Sequence, residues 1–160
     1  MSLHKYESSV KTIPYTREMV FSKLSDLSNL QNVKQKLDNP ELVAKLKEQA
    51  DGDQVEKMIP VLKSLTSDTD SVSVSVPPVG NLTLRVVERE EKCIKYALEN
   101  VPINANLWIQ LLPIDANSCK MKVTIGADLN LIMRGMLGGK LEKGAEGIAN
   151  MLSRMPYTEF

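Results

Sequence analysis

A chain of 160 residues is the size of one domain, and at that size roughly 70% of the unfolded surface is buried on folding, so the core needs no disulfide or metal staple. Apolar residues make up 42% and charged residues 25%, with 20 acids against 20 bases. That neutral balance supplies no field for holding nucleic acid or an anionic membrane surface, although it is compatible with a local basic patch. Cys93 and Cys119 are too few for a disulfide framework, and each sits in apolar alternation, where a small buried hydrophobe is expected. A disulfide between them would require Cα atoms within about 7 Å. The opening residues, Met1 to Glu7, carry charge where a signal peptide needs an apolar stretch, and no run approaches the roughly 20 apolar residues of a membrane span. A cytoplasmic protein without integral membrane association is therefore expected.

Leu3 to Ile13 alternates, with Tyr6, Ser8 and Val10 on one face and Lys5, Glu7, Ser9 and Lys11 on the other, which predicts a half-buried strand ended by Pro14. Thr16 is a good cap for a helix from Arg17 to Leu27, whose Met19, Val20, Leu24 and Leu27 recur at helical spacing. A short helical stretch near Leu30 to Leu37 follows. Asn39 and Pro40 form a helix start, with Leu42, Val43, Leu46 and Ala50 as its stripe, and Asp53 caps a further helix running to about Leu65. Pro60 is expected to kink or split it. Residues 38–65 thus form a helical insert.

The period then changes from helical to two. Ser71 to Val76 is a clean alternating strand, Pro77 to Asn81 is turn chemistry, and Leu82, Leu84, Val86 and Glu88 alternate with Thr83, Arg85 and Val87. Ile94, Tyr96 and Leu98 form the next strand. Asn104 to Leu112 is the most apolar one, setting Leu107, Ile109 and Leu111 against Trp108, Gln110 and Leu112. After the loop at Asp115 to Ser118, Cys119, Met121, Val123, Ile125 and Ala127 alternate with Lys120, Lys122 and Thr124. Short loops make these five strands an antiparallel meander. The chain closes with one long helix from about Leu131 to Met155, with Leu137, Leu141, Ile148, Leu152 and Met155 as its buried stripe. It holds five of the eight glycines, each costing about 1 kcal/mol against alanine. Close approach of the helix to the sheet, a kink at Gly138 and Gly139, or a break into two helices would each account for them.

The chemistry-bearing residues are sparse. With His4 the only histidine, there is no histidine-based zinc site and no Ser-His-Asp triad; an exposed position at the chain start is expected for it. Glu90 and Glu91 lie in a predicted turn, where solvation explains them. Gly135, Gly138, Gly139 and Lys140 resemble a phosphate loop only faintly, inside a helix and without the preceding strand. No catalytic residue, metal site or cofactor is expected. Met133, Met136, Met151 and Met155 on the last helix, with Met121 on a facing strand, suit either an irregular cavity wall or plain core packing.

The order of strand, short helices, meander and long C-terminal helix is the helix-grip order. Glu7 to Val10 through Ile13 and Pro14, followed by Glu18 to Phe21 and Leu24 to Leu27, resembles the opening of the SRPBCC superfamily, which includes START-like lipid-transfer domains and polyketide cyclase-like proteins. Ala127 to Asn130, Met133, Leu141, Gly144, Met151, Leu152 and Met155 to Tyr157 resemble its closing segment. The likeness spans nearly the whole chain except the insert. It implies an α+β helix-grip fold, a curved antiparallel sheet of about six strands around the C-terminal helix, forming a single domain over 1–160.

It also implies a cavity for a small apolar ligand, such as a lipid, a polyketide or a quinone-like molecule. Its expected lining is Tyr6, Ser8, Val10, Leu84, Val86, Ile94, Tyr96, Ile109, Leu111, Met121, Val123 and Ile125 from the sheet, and Met133, Leu137 and Leu141 from the helix, with Tyr96 and Ser8 as polar handles. The register of the Trp108 strand stays open: Trp108 and Gln110 face either outward or into the cavity. Two other functions compete. One is a protein–protein interaction module that uses the insert, which would otherwise serve as a lid. The other is a cyclase- or dehydratase-type enzyme, for which polar side chains such as Tyr96, Ser8, Glu7 or Asp128 would have to converge in the cavity.

Overall fold

The computed structural model describes residues 2–36, 38–49, 52–76, 80–90, 92–99, 103–154 and 157. The turn at Pro77 to Val79, and Met155 at the end of the helical stripe, lie outside them. So do the side chains of Leu42 and Leu46 in the insert.

Among the described residues the chain builds one antiparallel sheet of eight strands: β1 (Ser2–Glu7), β2 (Lys11–Ile13), β3 (Thr66–Ser67), β4 (Ser71–Val76), β5 (Gly80–Glu90), β6 (Cys93–Glu99), β7 (Ala105–Pro113) and β8 (Cys119–Leu129). Their order across the sheet is β1-β8-β7-β6-β5-β4-β3, with β2 also paired to β8. The helices are α1 (Arg17–Ser25), α2 (Leu30–Lys36), α3 (Pro40–Gln49), α4 (Gly52–Lys63) and α5 (Leu131–Ser153). The meander from β4 to β8 is the expected one. The excess over six strands has two sources. The pair Thr66–Ser67 adds a short edge strand, and the first predicted strand is divided in two.

That division is a bulge. Glu7 stands opposite Thr124 but Lys11 stands opposite Met121, so β1–β2 carries one residue more than β8. Ser8 stitches the gap: its N–H donates to the Val123 carbonyl at 2.8 Å, and its Oγ accepts the Val123 N–H at 2.9 Å. The extra residue breaks the alternation, so Val10, expected to face inward with Tyr6, is 60% exposed, while Ile13 enters the core. A second bulge lies between Val86 and Glu88, so Glu88, in step with Val86 by alternation, is exposed and Arg89 stands opposite the buried Ile94.

Inside, β7 and β8 present Leu107, Ile109, Leu111, Met121, Val123 and Ile125, all buried. Trp108 points the other way. It lies over the bare backbone of Gly126, where a Cβ would come within 2.6 Å of the indole Cζ3, and between the ammonium groups of Lys5 and Lys95, 5.3 and 5.5 Å from its ring centroid. The register left open by the sequence is therefore the one that puts Trp108 on the outer face. Cys93 and Cys119 are free thiols on strands separated by β7, and burial raises the pKa of each.

α1 is docked by its last carbonyls. Thr16 caps its start, with Oγ1 accepting the Met19 N–H at 3.2 Å. At its end, Tyr96 Oη donates to the Leu24 carbonyl at 2.7 Å and Arg89 Nε to the Ser25 carbonyl at 2.9 Å. Two of the carbonyls that every helix end leaves unpaired thus find partners on the sheet. α4 runs through Pro60 without splitting, and α5 is one helix of 23 residues, unbroken at Gly138 and Gly139.

Removing the Tyr96 hydroxyl leaves the buried Leu24 carbonyl unpaired. Tyr96→Phe is expected to lower unfolding free energy by about 1–3 kcal/mol in urea titrations with an unchanged m value. A loss below about 0.5 kcal/mol would mean that water or another donor replaces the hydroxyl.

Candidate functional site

The interior between sheet and α5 has two parts. Most of the expected lining lies in the first. Val86, Ile94, Tyr96, Ile109, Leu111, Met121, Val123 and Ile125 are buried there together with Val20 and Leu24 of α1, Ala145, Ala149 and Leu152 of α5, and Tyr157; Leu84 packs against them, half-buried. Tyr157 closes that end, its Oη donating to the Leu152 carbonyl at 2.6 Å and its ring meeting Tyr15 edge-on at 5.7 Å. Burial pushes the Tyr96 and Tyr157 phenols far above their ordinary pKa, so both stay protonated donors.

The second part lies under the first turns of α5. Its buried floor is Ala105, Ala127 and Leu129. Around it stand Tyr6, Leu98, Ile103, Met133, Leu137 and Leu141, all partly open. Of the expected residues the structure gathers Tyr6, Met133, Leu137 and Leu141 here. Ala105, Ala127, Leu129, Leu98 and Ile103 were missed. All but Ile103 lie two residues beyond an expected lining position or an inward neighbour, in the same alternation, so their signal was the strand period.

Polarity is distributed unevenly between the expected handles. Ser8 Oγ donates to the Ser9 carbonyl while accepting from Val123, so its capacity is spent on the bulge. Tyr96 Oη is spent on α1. Glu7 faces outward and pairs with Lys122 at 3.2 Å, and Asp128 alternates with the inward Ala127 and Leu129. Tyr6 differs: its Oη has no hydrogen-bond partner among the described residues, and it lies against Gly138, where a Cβ would stand 3.2 Å from the hydroxyl. His4, expected at a ragged start, instead sits in β1 opposite Ala127, half-buried and in step with Tyr6. Among the described residues no group of three or more His, Cys, Asp or Glu side chains could hold a metal ion. An unused phenol in an apolar wall can orient a bound carbonyl or hydroxyl group by one hydrogen bond.

The wall that carries Tyr6 is clamped to α5 by Glu146. Its carboxylate accepts from Lys11 Nζ at 2.6 Å, Ser9 Oγ at 2.7 Å and the Ser9 N–H at 2.8 Å. These contacts, the Lys11 hydrogen bond foremost, pull its pKa down to about 2.

A family-model scan and a search of curated proteins find no match to this chain. Solved structures do match. Norcoclaurine synthase from Thalictrum flavum, in complex with dopamine and hydroxybenzaldehyde, aligns at a TM-score of 0.66 over 96% of this chain and 86% of its own, with 9% identity. A START superfamily protein from Mycobacterium smegmatis aligns at 0.51 over 94% and 98%, with 12% identity. A conserved protein from Geobacillus kaustophilus aligns at 0.51 over 94% and 96%, with 19% identity. The fold is the START-like helix-grip fold that the sequence motifs imply.

Two expectations follow. A carboxylate whose folded-state pKa is depressed adds stability above its unfolded pKa, and loses it as pH falls through the folded value. Glu146→Gln is therefore expected to destabilise the protein by about 1 kcal/mol or less at neutral pH, since the clamp is partly solvated. The gap should close between its ordinary range and pH of about 2, as read from paired denaturant titrations; a gap that ignores pH would remove the clamp. The glycines divide too. Cβ atoms at Gly135 and Gly139 meet nothing within 4 Å, so alanine at either should stabilise by up to about 1 kcal/mol. Gly138→Ala should gain nothing until Tyr6→Phe is combined with it. An equal gain at all three would take Gly138 out of the wall.

Proposed function

We propose that this protein binds a small, largely apolar molecule between the sheet and the first turns of α5. The observation that carries the reading is the second cluster: large apolar side chains left partly open over a floor of Ala105, Ala127 and Leu129, around the Tyr6 phenol, whose hydroxyl has no hydrogen-bond partner among the described residues. A ligand carrying one hydrogen-bonding group on an apolar body would cover Leu98, Ile103, Met133 and Leu137 and pair with Tyr6. Each methylene covered adds roughly 0.8 kcal/mol.

The fold neighbours support a ligand of this kind. Norcoclaurine synthase in the matched structure holds dopamine and hydroxybenzaldehyde, two small aromatic molecules. A catalytic reading of this chain would need a polar pair within reach of the ligand. Ser8 and Tyr96 are committed elsewhere, so its support rests on Tyr6 and its strand neighbour His4. Binding is the reading that the geometry favours, with the cytoplasm as its expected location.

Fluorescence titration with anilinonaphthalene sulfonate, run beside native mass spectrometry of the gently purified chain, tests it. Met133→Trp and Leu137→Trp fill the site from half-buried positions that tolerate added volume. Each is expected to weaken dye binding by about tenfold or more with the thermal midpoint preserved. A bare polypeptide mass, together with dye binding that both variants leave unchanged, would overturn the reading.

A further inference from the structure

The face of α5 turned away from the sheet changes character along its length. Over the first turns it is apolar and open: Leu131 is 79% exposed, Ile132 74% and Met136 68%, and the two glycines between and beyond them, Gly135 and Gly139, leave the backbone bare. Further along, the same face is charged, with Lys140, Glu142 and Lys143. Ile132, Met136, Lys140 and Lys143 follow one another at helical spacing, so the stripe runs from apolar to basic. Arg134 is exposed beside it. Neither Arg134, Lys140 nor Lys143 pairs with an acid among the described residues. From 131 to 143 there are three bases against the single acid Glu142. Leu3, 52% exposed, stands opposite Asp128 at the same end of the sheet.

This apolar tip is not needed by the fold. Leu131, Ile132 and Met136 belong to neither core cluster, and soluble chains seldom leave three such side chains together in water without a partner. The charges decide between two partners. A second copy laid antiparallel across the same face would set the apolar tip of each chain against Lys140 and Lys143 of the other, taking ammonium groups out of water beside apolar side chains. An anionic surface meets the same bases favourably. The spacing also fits. At 1.5 Å per residue the two lysines sit about 6 and 10 Å behind Met136 along the axis, so they stay above the tip when the start of the helix enters first. With the tip among the acyl chains, the ammonium groups reach the phosphates.

We propose that the start of α5 docks this protein onto an anionic bilayer surface, with Leu131, Ile132 and Met136 inserted and Arg134, Lys140 and Lys143 at headgroup level. This docking does not depend on whether the neighbouring cluster holds a ligand. The test reads it without one. The full chain is sedimented with vesicles of phosphatidylcholine, with and without phosphatidylserine. Binding is expected to the anionic vesicles, to weaken as salt rises, and to fall by about a hundredfold or more in the triple variant Leu131→Ser, Ile132→Ser, Met136→Ser. These positions are exposed, so the variant's thermal midpoint should match the parent's. Lys140→Glu with Lys143→Glu should abolish the preference for phosphatidylserine. The proposal is overturned if the parent stays in the supernatant, or if the triple variant binds as well as the parent. It is equally overturned if light scattering reveals a dimer that the triple variant dissolves while vesicles recruit nothing.

Discussion

Helix α5 meets the sheet through small residues, and the layout of the interior follows from that contact. Ala145 and Ala149 are fully buried, and Gly138 lies under Tyr6. Where the helix supplies alanines, the strands supply bulk: Ile109, Leu111, Met121 and Val123 fill the space beneath its second half. Under its first half the pattern reverses. There the strands supply Ala105 and Ala127 beside Leu129, and the helix supplies Met133, Leu137 and Leu141, with Gly138 against Tyr6 as the exception. Large against small is how packed layers interdigitate without voids. Under the first half Leu129 is the one large side chain of its cluster that is buried among the described residues. Buried side chains are thus many at one end and few at the other.

The sealed end has further reinforcement. Tyr96 and Arg89 hold the carbonyl end of α1, and Arg89 also donates to the Thr69 carbonyl and pairs with Asp70 at 2.7 Å, so one side chain joins α1 to the β3–β4 turn. Tyr157 adds a phenol bonded to the end of α5. Buried hydrogen bonds of this kind contribute modestly when made and cost much more when broken, so they fix geometry more than they add stability. At the other end the comparable polar group, the Tyr6 hydroxyl, has no hydrogen-bond partner among the described residues. The two ends thus differ both in packing and in how their hydroxyls are used.

The strand and helix periods carried most of the architecture in readable form. The meander and the single C-terminal helix appear where alternation and the apolar stripe place them. The bulges did not show. At Ser8 to Val10 the two-residue period can be read straight on through the small Ser8, and only the pairing with β8 reveals the extra residue that expels Val10. A bulge is a property of two strands in register, and one strand's pattern does not contain it. The orientation of Trp108 was undecidable for a related reason. Both faces of β7 carry large apolar side chains, Trp108 and Leu112 standing beside Asn106 and Gln110 on one of them, and the deciding feature is Gly126 on the neighbouring strand, which leaves room for the indole. Within the site, Tyr6, Met133, Leu137 and Leu141 were legible from periodicity. The alanines were not, since a small residue in an apolar strand looks the same whether it lies under a tightly packed neighbour or under an opening.

The glycines of α5 join these arguments. Gly138 is accounted for by Tyr6, but Gly135 and Gly139 touch nothing, and each lowers the helix's own stability by about 1 kcal/mol. A 23-residue helix survives this because packing of its inner face, and not propensity, holds it in place. What the bare backbone gives in return is a low profile. On the outer face of the first turns, Leu131, Ile132 and Met136 stand clear of any side chain at Gly135 and Gly139, so a flat partner reaches them without obstruction. The inner face of the same turns carries the wall of the open cluster. One short stretch of helix therefore bounds the interior apolar surface on one side and forms the exposed apolar surface on the other.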